Sequence, residues 1–415
     1  MTTSVAVKLA RFARVRQRFV DDRIQDVPAA VRKELARIGL SRIVKPGQRI
    51  AITAGSRGIQ GIVEILRTVV DEVKAVGAKP FVVAGMGSHG NATSEGQREV
   101  LTGYGVTETS MGCPIVTDMD AVELGRTPNG YTIYMDKNAF NSDGILVVNR
   151  VKPHTILVGD LGSGLGKMLV IGLGKQKGAD SVHVIGIQQS LIPALRIVLS
   201  KAPVALGLAI VENSFDHTAK IEAVLPRDIE SADVRNLKLA RDYLPNIPFD
   251  PLDFLIVGQM GKNIAGTGMD PNVIGLHRRL GGPPQREIGR ILCLDLTADS
   301  HGNANGIGMA DIITQRLRDK VDLDATYMNG LTAGFLWGIK MPIALPTDRE
   351  ALSLLTKPYP PTTARGVFVR DTAHLDTMLV TEALLPNVRN NPNLMVDGAP
   401  EELRFDERGS LVTGV

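Results

Sequence analysis

Apolar positions along this chain switch between two periods. "PAAVRKELARIGL" repeats at helical spacing and stops at a glycine, which predicts a helix over residues 27–40. In "RIAITAGSRGI", Arg49 to Thr53 read as a short buried strand and Gly55 to Gly58 as the turn after it. Ile59, Ile62, Val63, Leu66, Val69, Val70 and Val73 then recur with a helix period up to Val76. "KPFVVAGMG" predicts a second buried strand, and Ser94 to Gln97 fit a capping box opening another helix. Strand, loop and helix repeating in that order predict a parallel α/β sheet.

The theme continues downstream. Residues 144–152 and 203–211 read as apolar strands, and "SADVRNLKLARDYL" as a helix. "PFDPLDFLIVGQMG" reads as a linker feeding a new strand, which sets a domain boundary near Pro248. Beyond it come a strand in "RILCLDLT", helices in "MADIITQRLRDKV" and "DREALSLLT", a proline-rich loop in "KPYPPTTA" and a late strand in "RGVFVRD". The expected fold is α/β, with two α/β domains, mostly parallel sheets and an active site in the cleft between them. Residues 1–250 form the expected cofactor-binding and catalytic domain. Residues 251–415 form the expected C-terminal domain that contributes substrate contacts.

Composition narrows the function classes. Aromatic residues make up only 4% of the 415 residues, which argues against a base-stacking nucleic-acid binder. The 47 basic residues nearly balance 44 acidic ones, so a charge-driven partner needs a concentrated patch. The densest stretches, Arg11 to Arg23 and Arg32 to Arg42, alternate with apolar residues and read as amphipathic helix faces. Neither nucleic acid nor membrane is an expected partner. Two cysteines, Cys113 and Cys293, cannot make a disulfide framework, and no cleavable leader or membrane span is legible. The expected location is the cytoplasm.

Ligands of open α/β sheets bind at the carboxyl ends of strands. Ser56, Arg57, His89, His154, Gln259 and Lys262 each follow an apolar strand. Ser56 and Arg57 lie at a strand-to-helix turn, a good place for a carboxylate or phosphate. "GSGLGKM" is not a P-loop, because Leu161 and Met168 stand where a glycine and a hydroxyl residue are needed. The glycine density around Lys167, Lys175 and Lys177 reads as a loop whose backbone approaches a ligand. His217, His277 and His374 read as structural, His301 as a second candidate for lining a site, and His183, from its apolar surroundings alone, as buried. No zinc motif is present.

These residues resemble the nickel-pincer lactate racemase family, most specifically in the block from His154 to His183. The resemblance implies that Lys167 carries a covalently linked, sulfur-substituted pyridinium mononucleotide, Ni(II) pyridinium-3-thioamide-5-thiocarboxylic acid mononucleotide. It implies that His183 is the nickel ligand and that His89 and His154 are the catalytic acid/base pair. Ser56 and Arg57 become cofactor contacts, and Arg57, Gln259 and Lys262 substrate contacts. The expected activity is a racemase or epimerase of 2-hydroxy acids, served by cofactor-biosynthesis enzymes, with a homo-oligomer left open. Gly162, Ile156 and Leu157 replace more polar neighbours of the family pattern and imply a smaller, less polar pocket. Two other readings stand beside this one: a nicotinamide-dependent 2-hydroxy acid dehydrogenase, and a non-catalytic sugar-acid or nucleotide binder.

Overall fold

The computed structural model describes residues 8–56, 58–155 and 157–415, and leaves the side chains of residues 182–185 undescribed. Two compact units form: Val20–Leu244, and Pro245–Val415 together with the segment ending at Phe19. The first strand, β1 (Phe12–Gln17), pairs near the other end of the chain, with Phe12 opposite Thr381 and Val15 opposite Val396. The arginine-rich stretch from Arg11 is therefore extended rather than helical at its start. Ala13 and Val15 are buried while Arg16 is exposed, a period of two that the arginines disguise. A domain running unbroken from residue 1 to 250 does not describe this arrangement, because the partners of β1 lie beyond residue 370.

In the Val20–Leu244 unit the strands are β2 (Arg49–Ala54), β3 (Lys79–Ala84), β4 (Ile115–Val116), β5 (Ala121–Arg126), β6 (Thr132–Asp136), β7 (Gly144–Arg150), β8 (Val204–Glu212) and β9 (Thr218–Val224). Six of them form a sheet in the order β4-β3-β2-β7-β8-β9, and β5 and β6 pair as a separate hairpin. All neighbours in the six-stranded sheet are parallel except β8 and β9. Ile50, Ile52 and Ala54 enter one core while Ala51 enters the other, and Val82 and Val83 divide likewise. A parallel sheet covered on both faces needs such unbroken apolar runs, which is why these strands were legible. Thr53 is the polar exception. Its fully buried hydroxyl donates to the Val148 carbonyl at 3.1 Å and accepts the Val148 N–H at 2.9 Å, so both its hydrogen-bonding roles are met.

The helices start where local chemistry allows. Helix α1 (Val27–Ile38) is capped by Asp26, whose carboxylate accepts the Ala29 N–H at 2.8 Å, and it stops at Gly39. Helix α2 (Ile62–Ala75) begins three residues later than the apolar period suggests, because Gly61 supplies a left-handed entry. Helix α3 (Ser94–Gly103) is capped by Thr93, one residue ahead of the expected capping box.

In the other unit the strands are β10 (Leu252–Val257), β11 (Ile288–Cys293), β12 (Ile312–Thr314), β13 (Ile343–Leu345), β14 (Gly366–Val369), β15 (Thr377–Thr381) and β16 (Leu394–Val396). They make an eight-stranded sheet with β1, in the order β13-β12-β11-β10-β14-β15-β1-β16. The first five in that order are mutually parallel, and the rest pair antiparallel. The helix expected over "MADIITQRLRDKV" is split. Ile312 and Ile313 form a central strand with parallel partners on both sides, and only Gln315–Asp319 are helical. The architecture is α/β with mostly parallel sheets. Among the described residues no helix is long and apolar enough to cross a membrane.

Candidate active site

Three adjacent strands, β3, β2 and β7, deliver the candidate loops of the first unit. Ser56 follows β2, His89 follows β3 and His154 follows β7, all at carboxyl ends of parallel strands. Arg57 lies outside the described residues. The His89 ring is fixed by its Nδ1, 2.8 Å from the Met86 carbonyl oxygen. A carbonyl only accepts, so the neutral ring carries its proton on Nδ1 and keeps Nε2 as the basic nitrogen. His154 lies in a loop closed by paired backbone bonds of 2.9 Å between Lys152 and Ser163. Gln188 pins the loop again through both backbone groups of Val158, at 3.0 and 3.2 Å.

Lys167 ends a short helix, α4 (Leu165–Lys167). A wide turn follows in which the Leu173 N–H reaches back five residues to the Met168 carbonyl at 2.9 Å. Such turns often mark functional positions. Helix α5 (Lys175–Ile185) and helix α6 (Ile187–Lys201) come next, and α5 carries His183 in its last turns. The His183 side chain, the expected metal ligand, is outside the described residues. Met168 ties Lys167 to the strand ends. A Cβ on Gly55 would lie 3.2 Å from its Cε, and one on Gly85 would lie 2.4 Å from its sulfur. The Gly87 N–H also bonds the Gly172 carbonyl at 2.9 Å. The turn that follows Lys167 thus packs against the starts of the loops that lead to Ser56 and His89.

Several glycines around Lys167 have a packing cause that the sequence does not show. They admit side chains and backbone of this chain. Cβ atoms on Gly162, Gly164 and Gly172 would fall 2.6 Å from Leu237, 2.4 Å from Asp233 and 2.7 Å from the Gly85 carbonyl oxygen. Asp233 projects from helix α7 (Ile229–Tyr243), and its carboxylate accepts the Leu165 and Gly166 N–H groups at 2.9 and 2.8 Å. Asn149, on β7, donates to the Gly164 carbonyl at 2.7 Å. Burial pushes the Asp233 carboxyl up to about 6, against the two amides that favour its charge. Leu157 is buried in the core beneath this loop, so its apolar character belongs to packing, and Ile156 is outside the described residues.

Two further charged anchors support these loops, and neither was visible in sequence. Glu212, nearly buried, forms an ion pair with Arg150 and accepts the Gln60 N–H at 2.7 Å, which fixes the turn after Ser56. Lys175 and Asp136 are both fully buried, 3.0 Å apart. Their partners are separated by tens of residues, so only the close-packed glycines give any local hint of them.

Gln259 and Lys262 belong to the other unit, just past β10. β10 and β11 keep pairing beyond their ends through Met260 and Leu296. The Lys262 N–H donates to the Ser300 hydroxyl at 2.9 Å. Its Nζ donates to the Gly266 carbonyl at 2.6 Å and to Asn329 Oδ1 at 2.5 Å. Asn329 lies on helix α8 (Leu323–Thr332) and was not singled out in sequence. His301, a residue away from Ser300, adopts a left-handed conformation on an exposed turn. His217 and His374 pair with Asp21 at 3.1 Å and Asp371 at 2.8 Å, the structural roles expected of them. Among the described residues no three His, Cys, Asp or Glu side chains gather as a metal-binding group.

Comparison with known proteins adds a family-model match to part of the chain and a likeness in fold. Residues 5–191 match the family model of the lactate racemase N-terminal domain. The chain is also similar to the structure of the lactate racemase apoprotein from Thermoanaerobacterium thermosaccharolyticum, at 15% sequence identity and a TM-score of 0.56. That likeness covers 87% of this chain and 98% of the other, and at such identity it speaks to the fold. No curated protein sequence matches the chain.

Proposed function

Proceeding from residues 5–191 as a lactate racemase N-terminal domain, we propose that the protein is a racemase or epimerase of 2-hydroxy acids. The observation that carries the proposal is the packing of Met168, beside Lys167, against Gly55 and Gly85. It supports the reading because the residue after Lys167 packs against the strand ends that lead to Ser56 and His89. A nickel-pincer mononucleotide fits the donor set. The chain offers a lysine on a fixed turn and one imidazole on α5, so most of the metal's ligands would come from the cofactor itself. Lys167 would hold this group covalently, His183 would ligate its nickel, and Ser56 and Arg57 would face it.

When bound, the group supplies a reversible acceptor for the hydrogen on the substrate's Cα. The remaining work falls to side chains of this protein. His89 takes the hydroxyl proton at Nε2, the nitrogen that its Nδ1 contact leaves basic. His154 performs the same exchange on the opposite face, so that either enantiomer finds a base. Arg57, Gln259 and Lys262 hold the carboxylate and polar groups of the substrate, which keeps the flattened centre in place while its faces exchange. The substrate class is a small 2-hydroxy acid.

The test is incubation of cofactor-loaded protein with a panel of enantiopure 2-hydroxy acids, followed by chiral separation. Scrambling of a stereocentre without added nicotinamide is the expected result. Net conversion to a keto acid that tracks reduced-nicotinamide absorbance would instead identify a dehydrogenase.

A further inference from the structure

Lys175 is a buried charge that the proposed chemistry does not use. Its side chain is wholly enclosed, and its backbone is left-handed, with φ of 55°. Its Nζ lies 3.0 Å from Asp136 Oδ2, donates to the Ala84 carbonyl at 2.8 Å, and reaches Gln97 Oε1 at 3.4 Å. Two of these contacts are hydrogen bonds, and the third, to Asp136, is a buried ion pair. Burial pulls its pKa below the ordinary lysine value, opposed by the Asp136 charge. Such an amine has no open face for a cofactor, which separates it from Lys167 in the same glycine-lysine run. Burying an ammonium is costly, so its retention calls for a role beyond filling space.

The contacts point to that role. Gln97, also fully buried, donates from Nε2 to the Gly87 carbonyl at 3.0 Å and to the His89 carbonyl at 3.3 Å. Gly90 and Gly96 press together so closely that a Cβ on Gly96 would lie 2.1 Å from the Gly90 oxygen. Ala84 is the last residue of β3, and Lys175 opens α5. One ammonium therefore joins the strand leading to His89, the clasp behind His89, and the segment that follows Lys167. We infer that Lys175 is a positioning residue: acting through Gln97, it holds the His89 imidazole in register with the Lys167 segment. The inference rests on the reading of His89 as a base, but its test does not require turnover.

The test uses the full-length chain without cofactor. Gln97→Met keeps the volume and removes the bonds to Gly87 and His89. The double variant Lys175→Met/Asp136→Asn removes the buried ion pair as a unit, and its second change keeps the Oδ1 acceptor used by the Ala139 N–H at 2.8 Å. In either folded variant, amide exchange over residues 87–93 should rise about tenfold, while the eight-stranded sheet of the other unit keeps its protection. The His89 ring resonances, assigned by their loss in His89→Asn, should move. Folded variants with unchanged exchange at residues 87–93 and an unmoved His89 ring would reduce Lys175 to a core filler and overturn the inference. In loaded enzyme, kcat should fall with KM retained. If wild-type protein racemises no 2-hydroxy acid, the functional proposal fails, while the exchange and ring spectra still decide the role of Lys175.

Discussion

The two units fix their candidate residues by different physics. Around His89 and Lys167 the supports are buried charges: Lys175 with Asp136, Glu212 with Arg150, and the lone carboxylate of Asp233 on two amides. Around Lys262 the supports include neutral groups. Ser300, Asn329 and the Gly266 carbonyl surround it, with Thr297 bonded to Ser300 at 2.8 Å and Asn303 to Asn329 at 3.3 Å. A buried ion that loses its partner costs several kcal/mol, whereas one neutral hydrogen bond contributes about 1 kcal/mol. Under the proposed function, rigid geometry falls where a proton would be moved, and adjustable geometry where a carboxylate would only be held.

The sharpest way to break this contrast is at the bases themselves. His89→Ala and His154→Ala should each lower turnover by about 10²–10⁴-fold, read as kcat in loaded enzyme, with the thermal transition little changed. A loss of folding in place of turnover would mean that these rings are structural, like His217 and His374.

Next in size is the single substitution Lys175→Met. It strands the Asp136 carboxylate in the core and should cost about 3–5 kcal/mol in denaturant unfolding. Asn329→Ala in the other unit should cost about 1 kcal/mol and raise KM several-fold with kcat nearly kept. Equal costs at the two positions would erase the contrast.

The middle case is Asp233. Its folded pKa, about 6, exceeds the ordinary value of 3.8, so folding takes up a proton between those values. The associated stabilisation is complete below pH 3.8 and is lost as pH rises through about 6. Relative to Asp233→Asn, wild-type protein should therefore gain about 2 kcal/mol of stability between pH 7 and pH 4, seen in urea titrations at both pH values. A difference that does not change with pH would mean that Asp233 titrates as an ordinary surface carboxylate.

These supports also mark where sequence stops being informative. β2, β3, β7 and β10 were legible because a doubly covered parallel strand is apolar along most of its length. The strand ends, and with them Ser56, His89, His154 and Lys262, followed from those runs. β1 was misread because Arg14 and Arg16 interrupt a short alternation whose partners lie hundreds of residues away. The glycine run stands out in sequence, but the packing of Gly162, Gly164 and Gly172 against Leu237, Asp233 and Gly85 does not, because those partners are distant in the chain. Asp233, Asp136 and Asn329 carried no local signal, and Gln97 carried only that of a helix start. Each is a polar residue in an ordinary helix or strand edge, and its meaning comes only from a tertiary partner.

The central claim is that Lys167, at the end of α4, is the attachment point for a nickel-bearing cofactor. Its most direct test is intact-mass and peptide mass spectrometry of protein produced together with the cofactor-building enzymes. The prediction is a heavy adduct on the peptide containing Lys167, with nickel present, and neither in Lys167→Ala. An active preparation whose Lys167 peptide has its bare mass would contradict the claim.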